Sequence, residues 1–433
     1  MLKRKVFQKL LGWKNSGGKK TCLLLYGVRQ CGKTFIVRQF ASENYESVIE
    51  LNFALQPGLR QIFSGDLDVE TLKTNIMLSL PGSRFIEGKT LLFFDEIQDC
   101  PEARTSLKSW AEDGRYDVIA SGSMLGIRYK EMSSIPVGYE TPVEMYPLDF
   151  EEFLWAQGIE AQIIEKVRAY ADGSEKVPEA INKSMLQRLR EYLIVGGMPD
   201  AVNAFIQGHD YELVQNIQDR ILLDYQDDIA KYASAGDRIK ARSCFLSIPK
   251  QLAKENHKFK YSVVEHGGTA RKFESSIDWL VQAGMVRRAC NVTMIGFPLL
   301  AYEKEEQFRT YLCDIGLLCA MYGYQVKAAV LSDSLEGPLK GALYESLIAD
   351  ILYKRGETLR YYKKEDSTLE LEFLLERNAS TVPVEVKAKH GATRSMNEVL
   401  KQQSIPYGIK LTSQNAGIEG KKLTLPLYLA QWI

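Results

Sequence analysis

The residues with the clearest capacity for chemistry form a glycine-rich octapeptide near the start of the chain. Residues 27–34 read GVRQCGKT, the full GxxxxGK(S/T) pattern, after a short apolar segment, Cys22 to Tyr26. The glycines let backbone N–H groups turn toward phosphates at a helix N-terminus, Lys33 neutralises phosphate charge, and Thr34 offers a hydroxyl to Mg²⁺. The pattern predicts a loop that binds ATP. The predicted nucleotide-binding residues are Gly27, Val28, Arg29, Gln30, Cys31, Gly32, Lys33, Thr34 and Phe35.

A pair of carboxylates follows the next strongly apolar segment. Residues 91–101 read LLFFDEIQDCP, which predicts a buried strand with Asp95 and Glu96 at its carboxyl end. In this Walker B arrangement Asp95 would hold Mg²⁺ through water, and Glu96 would orient and polarise the attacking water. We therefore predict Thr34 and Asp95 as metal residues, with Lys33 and Glu96 as catalytic residues. The alternative is a buried strand followed by an ordinary acidic helix start.

A third apolar segment, DVIASGSML, ends in two hydroxyl side chains, Ser121 and Ser123. One of them is a candidate sensor of the γ-phosphate, and the alternative is a Ser-Gly-Ser turn without that role. Strand-like segments at residues 47–52 and 141–146 complete five strands that alternate with helical stretches. This order predicts an α/β domain with a parallel sheet covered on both faces and a ligand at the carboxyl ends of the strands.

Composition limits the remaining classes of protein. A chain of 433 residues exceeds the size of a single core, so two to four domains are expected. Lys plus Arg and Asp plus Glu number 55 each, which gives no overall bias toward nucleic acid or membrane. The seven cysteines form no CxxC pair. The basic start lacks the features of a signal peptide, and no run approaches 18 apolar residues, so we expect a cytoplasmic protein without a membrane partner.

The middle of the chain reads as two helical modules. Residues 147–240 predict a helical lid or connector after a P-loop domain at residues 1–146. Residues 241–330 show two helical runs and then a hairpin, the layout of a winged helix whose Arg271 and Lys272 would meet DNA. The alternative is a packing module, because Ile277 and Trp279 are core-like and Glu274 would repel DNA.

Six segments together resemble a known family, the prokaryotic AAA-like ATPases that bear a C-terminal domain of unknown function. The segments are GVRQCGKT, FFDEIQDCPE, ASGSMLG, MYPLDFEEFLWA, YLIVGGMPDAV and ILLDYQDDIAKYA. The resemblance implies ATP binding by the P-loop, with Lys33, Thr34, Asp95 and Glu96 carried over from the matching motifs.

The arginine finger of such ATPases has no assigned counterpart here. Many relatives place a basic residue after the glycine before the fifth strand, whereas Gly138 is followed by Tyr139 in this chain. Arg104, Arg115 and Arg128 are candidates for a charge on the γ-phosphate, in cis or from a neighbouring subunit. Solvated surface arginines are the alternative for all three.

Residues 331–433 predict a restriction-nuclease-like α/β domain, because a helix, three strands, a helix and a strand follow one another. Such nucleases hold a divalent cation with carboxylates and use a lysine to help activate water. Glu372 stands where aspartate is usual, and Glu370 is the alternative ligand. An ion-pair ladder between strand faces is the alternative to a metal site. The residues of the predicted nuclease-like site are Glu345, Glu372, Glu385 and Lys387.

Three hypotheses follow from these patterns. The first is an ATP-binding and hydrolysing switch, with ATP and Mg²⁺ as cofactors, whose nucleotide state repositions the C-terminal domains. The second is an ATP-gated, metal-dependent DNA nuclease. The third is a non-catalytic adaptor that binds nucleic acid or a protein partner under the control of ATP. The sequence assigns no oligomeric state.

Overall fold

The structure is a computed structural model that describes residues 2–16, 21–124, 138–233, 236–254, 257–365, 367–388 and 393–433. The chain divides into two compact units. The first, unit 1, comprises Lys3–Pro147 with Gln282–Gly284, and the second, unit 2, comprises Leu148–Val281 with Met285–Ile433.

Unit 1 alternates strands with helices. Its strands are β1 (Cys22–Gly27), β2 (Ser47–Asn52), β3 (Thr90–Asp95), β4 (Asp117–Ser123) and β5 (Glu140–Glu144). Its helices are α1 (Val6–Lys14), α2 (Lys33–Asn44), α3 (Val69–Ser79), α4 (Pro101–Thr105) and α5 (Leu107–Asp113), with 3-10 turns at Pro57–Phe63 and Ile97–Asp99.

The five strands form one sheet in the order β2-β3-β4-β1-β5, and every pair is parallel. All residues of β3 and β4 are buried, as expected for central strands covered on both faces. One large apolar cluster packs against the sheet and includes Phe53, Phe94 and Trp110. The predicted α/β domain with a five-stranded parallel sheet is therefore confirmed. Because parallel strands end at one edge, β1, β3 and β4 bring Gly27, Asp95 and Ser123 to the same side of the sheet.

Unit 2 begins with helices. Helix α6 starts with a capping box, in which Asp149 accepts a hydrogen bond from the Glu152 N–H and the Glu152 carboxylate accepts one from the Asp149 N–H. The helices of this region are α6 (Phe150–Ala156), α7 (Ala161–Arg168), α8 (Glu179–Val195), α9 (Pro199–Gly208), α10 (Tyr211–Tyr232), α11 (Arg238–Leu252), α12 (Tyr261–Val264) and α13 (Ala270–Gln282).

The rest of unit 2 contains two sheets and further helices. The strands are β6 (Val286–Val292), β7 (Glu303–Leu312), β8 (Arg360–Lys363), β9 (Glu370–Leu371), β10 (Phe373–Arg377), β11 (Ser380–Lys387), β12 (Gly408–Thr412), β13 (Gly417–Glu419) and β14 (Lys422–Pro426). The helices are α14 (Ile315–Met321), α15 (Tyr324–Leu331), α16 (Gly337–Lys354) and α17 (Arg394–Val399), with 3-10 turns at Ala169–Asp172, Leu299–Tyr302 and Leu427–Gln431.

One sheet has the order β7-β6-β8-β9 and the other β10-β11-β12-β14-β13. Strand β6 pairs with β7 as a hairpin and also, in parallel, with β8, so the first sheet joins segments from both sides of residue 330. The predicted limits at residues 147–240, 241–330 and 331–433 stay predictions, as do the winged-helix and nuclease-like assignments. Among the helices that the structure describes, none is both long and apolar enough to cross a membrane.

Candidate functional site

The glycine-rich loop joins β1 to α2. Gly32 precedes α2 with φ 97°, and Gln30 also has a positive φ, 62°. The left-handed conformation at Gly32 is one that glycine adopts without steric strain. Because α2 begins at Lys33, the first N–H groups of the helix lack intrahelical acceptors and lie next to the loop.

Gly27 is required by a close backbone approach. A Cβ atom at this position would lie 2.1 Å from the carbonyl oxygen of Met145, the residue after β5. The Met145 N–H donates to the Tyr26 carbonyl at 2.7 Å, and the Cys31 thiol contacts the Met145 carbonyl at 3.6 Å. The chain that follows β5 therefore supports the loop from one side.

Lys33 lies against the loop. Its Nζ donates to the carbonyl oxygens of Gly27 at 3.0 Å and Val28 at 3.1 Å, and its side chain is buried. The structure thus places the predicted phosphate-binding ammonium beside the loop. Phe35, further along α2, has 55% of its surface exposed.

Asp95 is the centre of a hydrogen-bond network at the carboxyl ends of the strands. Thr34 Oγ1 lies 3.0 and 3.2 Å from its two carboxylate oxygens, and Asn52 Nδ2 donates to it at 2.9 Å. The Ser121 hydroxyl also donates to this carboxylate. Burial raises the pKa of Asp95, and the hydrogen bonds from Ser121 and Thr34 oppose that rise. Sequence reasoning missed Asn52, although its position as the last residue of β2 was a usable signal.

Glu96 follows Asp95 in the left-handed region, with φ 54°. The side chain of the buried Gln98 donates to its carboxylate. A carboxylate fixed by a neighbour in this way has a defined direction, as a group that orients water requires. Sequence reasoning missed Gln98, and no signal other than its place in the DEIQ segment marked it.

Ser123, the other sensor candidate, is buried and pairs in register with Gly27 across β4 and β1.

Two of the three arginine-finger candidates are engaged by carboxylates within unit 1. Arg104 pairs with Glu140 at 2.8 Å, and the Arg104 side chain is buried. Arg115 pairs with Asp113 at 2.7 Å and with Glu70 at 2.6 Å. Arg128 lies outside the described residues.

A second group of predicted residues meets in unit 2. Lys387 Nζ lies 2.9 Å from Glu372 and 3.2 Å from Glu385, and the Val386 N–H donates to Glu372 at 3.3 Å. Burial raises the pKa of Glu372 to about 7, although Lys387 opposes that rise. Burial also raises the pKa of Glu385. The structure therefore brings three of the four predicted nuclease-like residues into direct contact.

Glu345, the fourth, bonds to another set of side chains. From α16 it accepts hydrogen bonds from Arg309 at 2.8 Å and Tyr311 at 2.5 Å, and it lies 2.7 Å from His257. Burial raises its pKa, but the interactions with Arg309 and His257 outweigh burial and lower it to about 2. Arg309 also pairs with Glu370, the alternative ligand. Sequence reasoning missed this buried arginine, because its carboxylate partners are distant in the chain.

Two observations bear on a metal at the Glu372–Glu385–Lys387 cluster. Within the part of the chain that the structure describes, no group of three or more His, Cys, Asp or Glu side chains is arranged to hold a metal ion. In contrast, Glu385 Oε2 is buried without a hydrogen-bond partner. A carboxylate oxygen in that state is a suitable ligand for a hard cation.

The raised pKa of Glu372 predicts a pH-dependent gain in stability for Glu372→Gln. The folded carboxyl keeps its proton to about pH 7, whereas an ordinary glutamate loses it near pH 4.5, so this residue lowers stability as pH rises through that range. The variant lacks this loss, and its free energy of unfolding should exceed that of the wild type by up to about 3 kcal/mol at pH 8.

Urea unfolding at pH 5 and pH 8 in EDTA measures this difference. The two proteins should differ little at pH 5. Equal differences at both pH values would contradict the prediction.

The winged-helix candidate presents mixed charge. Arg271 and Lys272 are exposed in the first turn of α13, and Lys272 pairs with Glu265 at 2.7 Å. Ile277 and Trp279 on the same helix are buried, as the packing alternative expects. The winged-helix assignment of this helix therefore stays a prediction.

Comparison with protein families gives three matches along the chain. Residues 19–154 match an AAA domain, and this range contains the loop, Asp95, Glu96 and both serines. Residues 186–328 match a domain of unknown function, DUF8612, and residues 340–429 match another, DUF4143. The first match supports the predicted AAA-like P-loop domain at the N-terminal end, and the match of residues 340–429 agrees with the predicted C-terminal domain of unknown function.

Individual similar proteins are distant. An uncharacterized protein of Methanocaldococcus jannaschii, MJ1544, is 28% identical over 207 residues, which cover 48% of this chain and 40% of that protein. The chain therefore spans less than half the length of this curated relative.

Two solved structures match this chain at low similarity. The Walker-type ATPase PABY2304 of Pyrococcus abyssi is 13% identical with a TM-score of 0.42, over 74% of this chain and 96% of that one. The Aeropyrum pernix ORC1 protein in complex with DNA is 14% identical with a TM-score of 0.28, over 76% and 94% of the two chains.

Proposed function

We propose that unit 1 binds ATP with Mg²⁺ and hydrolyses it slowly. The observation that carries this proposal is the convergence of Thr34, Asn52 and Ser121 on the Asp95 carboxylate, beside the glycine-rich loop. The match of residues 19–154 to an AAA domain supports the same ligand.

The polar groups of this site fit a magnesium ion. Thr34 and Asp95 supply a hydroxyl and a carboxylate, the oxygen donors that hard cations prefer. These two residues would hold Mg²⁺, which when bound neutralises charge on the phosphates. Ionised Asp95 is the form such a cation favours, and the hydrogen bonds from Ser121 and Thr34 favour the same form.

Lys33 of α2, Glu96 after β3 and a serine of β4 would each have a separate role in binding or hydrolysing ATP. The Lys33 ammonium would leave its hydrogen bonds to the Gly27 and Val28 carbonyls and donate to the phosphate oxygens, which carry more negative charge. Glu96, held by Gln98, would orient the attacking water and accept its proton. Ser123, the last residue of β4, and Ser121, which donates to Asp95, both remain sensor candidates at this end of the sheet.

We further propose that the state of the nucleotide acts as a switch for unit 2. The regions outside the AAA match, residues 186–328 and 340–429, are candidates for the responding parts. A switch requires that ATP and ADP bind two conformations with different affinities.

Two measurements on the purified protein test the ATP proposal. Calorimetric titration with ATP and Mg²⁺ should show binding, and a phosphate-release assay should show turnover that EDTA abolishes. A protein that binds no ATP would refute the proposal. Equal protease sensitivity of unit 2 with ATP and with ADP would refute the switch.

A second candidate function is metal-dependent cleavage of DNA by unit 2. The buried, unpartnered Oε2 of Glu385, close to Glu372 and Lys387, favours it. Glu372 and Glu385 would hold a divalent cation there. Lys387 would then give up one of its two carboxylate contacts and donate a hydrogen bond to the attacking water, which it would orient.

This candidate predicts strand breaks that depend on Glu385. Linear and supercoiled DNA, incubated with the protein, ATP and Mg²⁺ or Mn²⁺, should be cut by the wild type. Glu385→Ala should cut at least about 100-fold more slowly, because the cation would lose a charged ligand. The exposed control Glu398→Ala should match the wild type.

Cleavage that persists in Glu385→Ala would contradict the assignment. ATP-dependent binding of DNA without cleavage would instead support the adaptor hypothesis. The dependence of that binding on salt would then count the phosphates that are contacted.

A further inference from the structure

The segment before the first strand contacts the glycine-rich loop through one arginine. Arg4 Nη1 donates to the carbonyl oxygen of Cys31, the loop residue before Gly32, at 3.0 Å. Arg4 Nη2 donates to the carbonyl of Tyr146, beyond β5, at 2.5 Å. Only 9% of the surface of Arg4 is exposed. None of the motifs described above includes this residue.

Helix α1 holds the arginine in place. It begins at Val6, two residues after Arg4, and the Phe7 ring packs edge-on against Phe40 of α2 with ring centroids 5.7 Å apart. At the other end of α1, Trp13 Nε1 donates to the Thr21 carbonyl at 2.9 Å. The backbone of Arg4 is therefore anchored directly before a packed helix, which reduces the entropy lost when the guanidinium bonds to the loop.

The contact fixes the direction of one peptide group. In a trans peptide the C=O and the following N–H point in opposite directions, so a bond to the Cys31 carbonyl also orients the Gly32 N–H. A phosphate-binding loop requires its N–H groups to point at the anion and its carbonyls to point elsewhere. A carbonyl turned toward the phosphate would repel it.

Lys33 cannot supply this support once a nucleotide is bound. Its ammonium bonds to the Gly27 and Val28 carbonyls, and it would leave them for the phosphates. The guanidinium of Arg4 has a second anchor on Tyr146 and bonds to a different carbonyl. Its planar fork allows both bonds at once, which a lysine ammonium reproduces poorly.

We propose that Arg4 is a positioning residue for the phosphate-binding loop, which holds the Cys31–Gly32 peptide so that the Gly32 N–H faces the nucleotide phosphate. The inference rests on the proposed ATP binding. It adds a residue outside the glycine-rich motif whose role is to preorganise the loop.

Steady-state ATP hydrolysis by the full chain tests this assignment. Arg4→Ala should raise KM for ATP about tenfold or more, as expected for the loss of a charge-assisted hydrogen bond, and should leave kcat within about twofold. Arg4→Lys should give an intermediate KM, because it keeps the charge and one of the two bonds. The control Lys3→Ala removes the exposed neighbouring charge and should behave as the wild type.

A binding titration with pyrophosphate separates loop geometry from adenine recognition. Arg4→Ala should weaken binding of pyrophosphate by the same factor as binding of ATP. A purely structural role would lower the active fraction, and with it kcat, without raising KM, and that result would overturn the assignment. Unchanged KM values in both Arg4 variants would also overturn it.

Two further results keep the test decisive. If Arg4→Ala fails to fold, Arg4→Lys carries the measurement, and a wild-type KM in that variant overturns the assignment. A wild type that neither binds nor hydrolyses ATP refutes the ATP proposal itself. A wild type that hydrolyses ATP, beside Arg4 variants that match it, refutes only the role of Arg4.

Discussion

Lys33→Ala should weaken ATP binding by about 100-fold or more and reduce phosphate release to background. The ammonium is a buried positive charge that lies against the loop, and a charge pair with phosphate in a buried site loses several kcal/mol when one partner is removed. Titration calorimetry and a phosphate-release assay measure the two effects separately.

Glu96→Gln is the matched comparison, because it removes the proton acceptor but keeps the loop intact. Its affinity for ATP should stay within about threefold of the wild type, while turnover should fall by about 100-fold or more. Lys108→Ala, which removes an exposed lysine of α5, should leave both unchanged. Wild-type affinity in Lys33→Ala would contradict the assignment of the loop.

Lys354→Met should destabilise unit 2 by about 3 to 5 kcal/mol. Lys354 Nζ is buried and bonds to Asp350 at 2.8 Å, to the Tyr192 hydroxyl at 3.0 Å and to Asp314 at 3.5 Å. Burial raises the pKa of Asp350 to about 6, although Lys354 opposes that rise, so this carboxylate depends on its partner for charge compensation. Methionine would remove this cation from two buried carboxylates, Asp350 and Asp314.

Urea unfolding at pH 7, followed by tryptophan fluorescence, measures this loss. Lys364→Met, at an exposed lysine near β8, should change stability by less than about 0.5 kcal/mol. The double variant Lys354→Met with Asp350→Leu should recover part of the loss, because one unpaired charge is gone. A single variant as stable as the wild type would show that the network contributes little.

The same network gives a physical reason for the segment YLIVGGMPDAV, which the sequence analysis used only as part of the family resemblance. In YLIVGGMPDAV, Tyr192 bonds to Asp350, and the Gly197 N–H donates to Asp314 at 2.7 Å. A Cβ atom at Gly196 would lie 2.1 Å from Asp314 Oδ1, and one at Gly197 would lie 2.0 Å from the Leu148 carbonyl. The two glycines are therefore needed for close packing within unit 2.

Much of the candidate nucleotide site could be predicted because its signals are local. The residues of GVRQCGKT are adjacent in the chain, and an apolar strand fixes where Asp95 and Glu96 emerge. Parallel strands share one edge, so the meeting of Gly27, Asp95 and Ser123 followed from strand order alone. The roles assigned to these side chains still stand as predictions.

The residues that sequence reasoning missed act through contacts between distant segments. Arg4 reaches Cys31 and Tyr146 from the start of the chain, and Arg309 of β7 meets Glu345 of α16. No periodicity or motif marks such residues, because a buried arginine and an exposed one look alike in a sequence. Their burial and their partners depend on the packing of whole elements.

The sequence by itself determined the loop, the carboxylate pair that follows β3 and the parallel α/β domain, because spacing and apolar patterning act over a few residues. Only the tertiary structure decided which groups share a hydrogen-bond network. It joined Asn52 and Ser121 to Asp95, placed Lys387 between Glu372 and Glu385, and turned Glu345 toward Arg309. The physical reason is that burial and charge compensation depend on neighbours in space, which the order of residues does not specify.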